Sequence, residues 1–363
     1  MIEKRSPPNV VHMVPAIFGA AGIVGGAERY VLELAKHMAE QVPTRLITFG
    51  DASKSYRDGK LEVRVLGNPW RVRGQQNNCL HWGMLGELSK ADIIHCHQHH
   101  LLASSMAAVL SRIVRNKCFV SDLGGGGWDI SGYISTDNWF RGHLHISEYS
   151  RKIFGHQDRV NAKVILGGVD TEKFSPDASV EKENLVVYTG RLMPHKGIND
   201  LVEALPVGMR LELIGQPYHQ DFVALLKKLA EGKEVVFRHD CDDQELIHAY
   251  RRALCVVLPS VYQTCYGATS NVPELLGQTL LEGMACGAAA ICTDVASMPE
   301  IVVHEKTGFV VAPNDPNGLR KRLELLKDHP HEAIRMGEEG RARALEVFKW
   351  ERVVQRCLDA YQE

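Results

Sequence analysis

The sequence predicts an α/β fold made of two doubly wound, Rossmann-like domains, each built on a parallel β-sheet. The chain has 363 residues, more than one ordinary hydrophobic core accommodates. Short apolar runs alternate with helical patterns almost throughout, as in parallel sheets covered by helices on both faces. The alternation pauses once, at residues 165–184, where glycines, a proline and charges gather. We therefore expect domains over residues 1–167 and 168–348 facing a cleft, with a helix over 349–363 that packs back on the first.

Composition and charge limit the class of protein. Hydrophobic residues make up 45% and charged residues 24% of the chain, as in soluble globular proteins. The net charge of −2 gives no electrostatic basis for binding nucleic acid. No apolar stretch reaches transmembrane length, no clear signal-peptide pattern is present, and the nine cysteines contain no C-x-x-C. We therefore expect a cytoplasmic protein with reduced thiols.

The predicted elements of the first domain are short apolar strands and amphipathic helices. The strands are NVVHMVP, TRLITFG, LEVRVLG, ADIIHCH and NKCFVSD. The helices are AERYVLELAKHMAE and LLASSMAAVLSRIVRN. The segment GHLHISEYSRKIFG predicts a strand followed by a helix, for which Ser147 is a suitable N-cap.

The second domain repeats this pattern after residue 184. Its predicted strands are LVVYTGRL, RLELIG, EVVFRHD, LCVVLPS and GAAAICTD. Its predicted helices are GINDLVEAL, HQDFVALLKKLAE, DDQELIHAYRRA, NGLRKRLELLKD and HEAIRMGEEGRARALEVF. The two series indicate two Rossmann-like halves of similar size.

Two glutamates bracket a glycine in PELLGQTLLEGMACG, Pro273–Gly287. On one continuous helix, Glu274 and Glu282 would point about 80° apart, at 3.6 residues per turn. Gly277 instead suggests that Glu274 lies in a loop and that a helix begins near Gln278. Both carboxylates could then approach a helix N-terminus, where free N–H groups attract anions. From the spacing alone, two solvated surface glutamates are the commoner interpretation.

A pair of cations follows a predicted strand in YTGRLMPHKG, Tyr188–Gly197. Arg191 and Lys196 lie just past the carboxyl end of that strand, which is the edge where open α/β sheets bind ligands. Arg191 offers a planar fork for phosphate oxygens and Lys196 a compact charge. The alternative is a loop with two exposed cations.

Glycines in GIVGGAE, Gly22–Glu28, follow the first predicted strand. They do not form G-x-G-x-x-G, so the segment does not predict a dinucleotide site. Adjacent glycines before a helix can still hold a phosphate with backbone N–H groups, or they can simply make a tight turn.

Four histidines occur in six residues in HCHQHH. On a strand, His95 and His97 point to one face and Cys96 to the other, and His97 lies near the carboxyl end. The pattern permits a metal site. No carboxylate or cysteine is placed to complete four ligands, so hydrogen bonding in the core or at its rim is the favoured interpretation.

Taken together, these motifs resemble the retaining GT-B glycosyltransferases of the family 4 type, also called group 1. The resemblance covers nearly the whole chain, and its specific part is the E-x7-E pair with G-R-x-x-x-x-K upstream. The matching segments are GGAERYVLELAKHM, DIIHCH, ISEYSR, GGVDTEKFSP, TGRLMPHKGINDLVEAL, LPS, PELLGQTLLEGMACG and MPEIVVHEKTGFVV.

The resemblance implies a nucleotide-diphosphate sugar bound mainly to the second domain, with the first domain on the acceptor side. Arg191 and Lys196 would hold the diphosphate and stabilise its leaving charge. Glu274 would bind hydroxyls of the donor sugar, and Glu282 those of the ribose. Backbone N–H groups would face the phosphates at Gly277, Gln278 and Thr279.

The remaining contacts implied by the resemblance come from loops of both domains. Gly25 and Gly26 would approach the diphosphate, and His97 would lie near the transferred sugar. The base would sit against the loops at Gly215 and Asp240. No cofactor and no metal are expected, and a UDP-sugar is the expected co-substrate. The resemblance also implies retention of the donor's anomeric configuration, by front-face attack with a diphosphate oxygen as the base.

The sequence departs from the family pattern in three segments. VYQTCYGATSNV, before Glu274, is longer than the usual link, and its polar residues could shape a pocket or merely form a surface loop. FVSDLGGGG stands where many family members carry a histidine, and GGVD replaces Asn-Gly-Val-Asp at the hinge. An acceptor or catalytic contact at the second segment is therefore in doubt.

The expected function is transfer of a hexose-type sugar to a glycan, a glycolipid or a small-molecule acceptor. The alternatives are a nucleotide-sugar epimerase of the same fold and a non-catalytic subunit that binds a nucleotide sugar. The segment NPWRVRGQQNN could touch an anionic lipid surface on the inner face of the membrane through Trp70, Arg71 and Arg73. An ordinary exposed loop is the favoured interpretation of that segment.

Overall fold

The chain folds into two compact units, each built on a parallel sheet. The computed structural model describes residues 7–17, 26–124 and 126–363. One unit comprises Met1–Gly167 and Trp350–Glu363, and the other comprises Gly168–Lys349. These are called unit 1 and unit 2 below.

Unit 1 has a sheet with the strand order β10-β9-β8-β7-β1-β2-β4-β3. Among the described strands of this sheet, only β3 runs antiparallel to its neighbour. Its strands are β1 Val10–Ile17, β2 Thr44–Gly50, β3 Lys54–Asp58, β4 Leu61–Gly67, β7 Ile93–His97, β8 Lys117–Ser121, β9 Gly142–His145 and β10 Ala162–Val164. A separate two-stranded sheet pairs β5 Trp70–Arg71 with β6 Cys79–Leu80. The helices of unit 1 are α1 Gly26–Ala39, α2 Gly83–Leu88, α3 Leu102–Val114, α4 Glu148–Ile153 and α12 Trp350–Gln362. Short 3₁₀ turns occupy Val72–Gly74, Ile130–Gly132 and Asp137–Trp139.

Local sequence explains how these elements begin and pack. Ser147 caps α4, as the sequence predicts, and the structure adds a capping box with Ser150. One core cluster of unit 1 includes Val11, Ile94 and Ala107, which pack β1 and β7 against α3. Helix α12 is tied to this sheet, because Tyr361 Oη lies 2.7 Å from Nδ1 of His95.

Unit 2 has a sheet of parallel strands in the order β13-β12-β11-β14-β15-β16. The strands are β11 Glu183–Thr189, β12 Arg210–Ile214, β13 Val235–Arg238, β14 Ala253–Leu258, β15 Ala289–Thr293 and β16 Gly308–Val311. The helices are α5 Ile198–Ala204, α6 Gln220–Leu229, α7 Asp243–Arg252, α8 Gln278–Ala285, α9 Met298–Ile301, α10 Pro316–Asp328 and α11 Pro330–Val347. A 3₁₀ turn occupies Pro194–Lys196. The predicted doubly wound α/β architecture is confirmed.

Candidate functional site

The turn before α8 has the geometry that the glutamate spacing predicts. Gly277 adopts a left-handed conformation with φ +77°, and α8 begins at the next residue, Gln278. The Gly277 N–H lies 3.4 Å from Oε1 of Glu274, which holds the loop against the helix start. Glu274 is therefore a loop residue beside free helix N–H groups, which is an environment that favours negative charge.

Glu274 is paired with Lys196 across the carboxyl edge of the sheet. Lys196 Nζ lies 2.6 Å from Oε2 of Glu274, and their side chains are only 12% and 17% exposed. Burial by itself would raise the pKa of Glu274. The Lys196 charge and hydrogen bond, with the Gly277 N–H, outweigh burial, so the pKa lies below its usual range. The site therefore holds an ionised carboxylate and an ammonium in contact.

Arg191 follows β11 at the same edge and carries the free positive charge. Its side chain is exposed, and its guanidinium lies 5.8 Å from the ring centre of Tyr218. Among the described residues no carboxylate comes within ion-pair distance of Arg191. The backbone is fixed beneath it, because Tyr188 Oη donates to the Arg191 carbonyl at 3.0 Å. Arg191 is thus positioned but left available for an anion.

Gly215, directly after β12, lies in close contact with Gly190, directly after β11. It has φ +151°, and a Cβ at this position would lie 1.9 Å from the carbonyl oxygen of Gly190. Only glycine fits such an approach. His239 Nδ1 contacts the Gly215 carbonyl at 2.8 Å, so the loop that carries exposed Asp240 adjoins Gly215. The two loops predicted to hold the base are therefore neighbours.

Glu282 lies in the second turn of α8 and is buried, with 4% of its surface exposed. Tyr250 Oη donates to its Oε2 at 3.1 Å, and Gln278 Nε2 lies 3.5 Å from its Oε1. Thr279 is half-buried in the first turn. The structure joins Lys196 to Glu274, and Gln278 to Glu282. Tyr250 is a contact that the sequence analysis missed, since it lies 32 residues from Glu282 on another helix.

The histidines of β7 are buried and hydrogen-bonded in unit 1. His97 Nε2 lies 2.8 Å from Nδ1 of His12, and the rings of His95 and His97 are 4.0 Å apart. Cys96 points the other way, toward Cys118. His95 contacts both Tyr361 and Ser121. The alternation predicted for this strand is confirmed, while the contact of His97 with a sugar stays a prediction.

Two further predictions concern glycines and the basic loop of unit 1. Gly25 lies outside the described residues, and Gly26 is the first residue of α1, with open space where a Cβ would stand. In the loop, Trp70 is 61% exposed, whereas the Arg73 guanidinium lies 3.9 Å from the ring centre of Trp128. Contact of this loop with a membrane stays a prediction. In the described ranges, no helix has both the length and the apolar character needed to cross a membrane.

Comparison with known proteins assigns the family. Residues 24–173 match the Glycosyltransferase Family 4 model, and residues 169–343 match the model for Glycosyl transferases group 1. The chain belongs to the group 1 glycosyltransferases of the family 4 type. The two family regions meet near the boundary between units 1 and 2.

Curated relatives of this glycosyltransferase include two proteins of Mycolicibacterium smegmatis. The GDP-mannose-dependent alpha-(1-6)-phosphatidylinositol monomannoside mannosyltransferase is 30% identical over 56% of this chain and 58% of its own length. The alpha-maltose-1-phosphate synthase is 29% identical over 57% of each chain. The chain thus spans little more than half the length of these relatives.

Solved structures of similar fold cover nearly all of the glycosyltransferase chain. The sucrose-phosphate synthase of Thermosynechococcus elongatus has 18% identity and a TM-score of 0.73, with 98% of both chains covered. Anabaena Alr3699/HepE in complex with UDP and glucose has the same identity and TM-score, over 98% of this chain and 99% of its own. These similarities confirm the two-domain, Rossmann-like GT-B fold.

Proposed function

We propose that the protein is a retaining glycosyltransferase that moves a hexose from a UDP-sugar to a glycan, glycolipid or small-molecule acceptor, without a catalytic metal. The family assignment and the HepE structure with UDP and glucose support a nucleotide-sugar donor. The observation that carries the proposal is the cluster of Arg191, Lys196 and Glu274 beside the N-terminus of α8.

The charges of this cluster suit cleavage of an anomeric C–O bond. As the bond breaks, positive charge grows on the sugar and negative charge on the diphosphate. Arg191 and the N–H groups at the start of α8 can bind the diphosphate oxygens. Lys196 has three donor hydrogens, so it can keep its hydrogen bond to Glu274 and also bind a phosphate oxygen. In this mechanism Glu274 accepts hydrogen bonds from donor-sugar hydroxyls while Lys196 neutralises the leaving group.

The anomeric configuration of the donor is retained when the acceptor attacks the anomeric carbon from the same face as the departing diphosphate. The acceptor hydroxyl forms the new bond to the anomeric carbon, and its proton passes to a diphosphate oxygen. The products are the glycoside and the protonated nucleoside diphosphate, so no protein carboxylate has to form a bond to the sugar. This differs from retaining glycosidases, which use a second carboxylate as the nucleophile.

A thermal-shift screen of UDP-, GDP- and ADP-sugars, followed by product analysis, tests the proposal. A saturating ligand raises the melting temperature, and we expect the largest rise with a UDP-sugar that is then slowly hydrolysed. Conversion to an isomeric nucleotide sugar would indicate an epimerase instead, and binding without turnover would indicate a non-catalytic subunit. NMR of the released or transferred sugar at early times reports its anomeric configuration, and inversion would contradict retention.

A further inference from the structure

The long segment before Glu274 forms an ordered hairpin at residues 261–273. Gln263 and Thr269 form a β-bridge, and the turn is closed by the Thr264 N–H, which donates to the Ala268 carbonyl at 2.8 Å. Gly267 at the tip has φ +78°, a conformation that favours glycine. The segment is therefore a defined element, hereafter the hairpin.

Contacts of the first strand of the hairpin fix it to unit 2. The Val261 N–H donates to the His195 carbonyl at 2.9 Å. Tyr262 Oη accepts from the Ala296 N–H at 2.9 Å, and the Gln263 carbonyl accepts from Asn314 Nδ2 at 3.1 Å. An element held in this way can form a preformed wall of a binding site.

The hairpin, the start of α6 and the turn at residues 194–196 border an open cavity of about 520 Å³. This volume lies in the range of small-molecule sites, which is about 300–1,000 Å³. The polar and aromatic residues that line it include His195, His219, Asp221, Thr264, Tyr266 and Thr269. We call this space the hairpin cavity.

The lining of the hairpin cavity suits a neutral polyhydroxyl ligand and not a diphosphate. No lysine or arginine of the described chain lines it, and its only carboxylate is Asp221. Burial, with the nearby Lys196 and Arg191, lowers the pKa of His195 to about 4, so the imidazole is neutral and can both donate and accept. Carboxylate, imidazole and threonine hydroxyl groups are the partners that sugar hydroxyls require.

Tyr266 gives the cavity an aromatic face. Its ring stacks on His219 with centres 5.8 Å apart and planes 20° apart, and 51% of the residue is exposed. The imidazole supports one part of the ring while solvent reaches the rest. The C–H face of a sugar ring packs on such a surface, as apolar groups do on aromatic rings generally.

The cavity also lies next to the residues proposed to handle the donor. His195 lines it, and the adjacent residue Lys196 is paired with Glu274. Neither Lys196 nor Glu274 lines the cavity itself. From this geometry and chemistry we propose that the hairpin cavity binds a neutral sugar ring of the acceptor, which makes the acceptor a carbohydrate or glycoconjugate. The proposal rests on the proposed transferase function.

Saturation-transfer NMR with the methyl α-glycosides of glucose, galactose, mannose and N-acetylglucosamine tests the site on the full chain. We expect at least one glycoside to bind, and the Tyr266→Ala variant to weaken that binding by about tenfold. Tyr266→Phe keeps the ring and should bind as the wild type does. Tyr133→Ala, which removes a tyrosine that is 72% exposed in unit 1, is the matched control. Asp221→Asn is a second variant that should also weaken binding.

The result that overturns the proposal is equal binding by wild type, Tyr266→Ala and Asp221→Asn, or no saturation transfer from any glycoside. The rise in melting temperature with nucleotide sugar should be the same in Tyr266→Ala and wild type. Its loss in the variant would assign the cavity to the donor sugar and would also overturn the proposal. Absence of any nucleotide-sugar effect on the wild type would instead contradict the proposed function, and glycoside binding at Tyr266 would still be measurable.

Discussion

At the scale of single residues, the candidate site depends on how Lys196 and Glu274 share their charges. The sequence predicted both residues but not their contact, because they are separated by 78 positions and nothing local pairs them. The resemblance assigned one to the diphosphate and the other to the sugar. The structure adds that Lys196 Nζ and Glu274 Oε2 are in contact at 2.6 Å. The proposed donor would therefore meet an ion pair that is already formed.

Replacement of Lys196 by alanine should lower turnover at least about tenfold, which corresponds to about 1.4 kcal/mol of barrier. The change removes a charge that stabilises the leaving diphosphate. It also leaves Glu274 buried without its cation, so the pKa of Glu274 should rise. Initial rates with the donor found by the screen measure the effect. Lys228→Ala, which removes an exposed lysine at the end of α6, is the control. Equal rates for the two variants would be evidence against the role of Lys196.

At the scale of elements, the sequence predicted the buried strands and long helices well. Their apolar runs and helical periods are set by burial on the sheet. It missed β3, because all five residues of Lys54–Asp58 are exposed and show no apolar alternation. The sequence did not decide whether residues 261–273 shape a pocket or form a surface loop, since their polar residues are typical of a loop. The order of the hairpin comes from distant partners such as Asn314.

Helix α8 should tolerate no side chain at Gly283. A Cβ there would lie 2.4 Å from Cγ1 of Val256 on β14, so Gly283→Ala must push the helix away from the sheet. Overpacking of this kind costs about 1–3 kcal/mol. We expect urea unfolding to show that loss, together with weaker nucleotide-sugar binding, because α8 carries Gln278 and Glu282.

The control for Gly283→Ala is Gly86→Ala in α2, where a Cβ would meet nothing within 4 Å. Alanine is about 0.8–1.0 kcal/mol better than glycine inside a helix, so this variant should be unchanged or slightly more stable. Equal free energies of unfolding for Gly86→Ala and Gly283→Ala would contradict the packing described for α8.

At the scale of the whole molecule, buried histidines are concentrated in unit 1. Burial lowers the pKa of His12, His99 and His145 to about 3 and that of His143 to about 4. Such groups are neutral in the folded chain but take up protons in the unfolded chain below pH 6.5. Their contribution to stability is therefore complete above pH 6.5 and is lost as the pH falls. The sequence showed the histidine-rich segment HCHQHH but not that His12 and His143 are also buried.

Unit 1 should therefore lose stability before unit 2 between pH 6.5 and 5. Each such imidazole lowers the free energy of unfolding by about 2 kcal/mol over that interval. In unit 2, His195 has the same destabilising effect. Burial also raises the pKa of Asp200 in unit 2 to about 6, which strengthens the folded state as the pH falls through that value. Hydrogen-exchange mass spectrometry at pH 7 and 5.5, corrected for intrinsic rates, measures protection in each unit. Earlier loss of protection in unit 2 would contradict the expectation.

The central claim is that unit 2 binds a nucleoside diphosphate with Arg191, Lys196 and the first N–H groups of α8. A crystal structure of the full chain grown with UDP tests it most directly. We expect diphosphate oxygens within hydrogen-bonding distance of the Arg191 guanidinium, the Lys196 ammonium and the N–H groups of residues 277–279. A structure with UDP bound elsewhere, and with Arg191 still over Tyr218 and Lys196 bound only to Glu274, would contradict the claim.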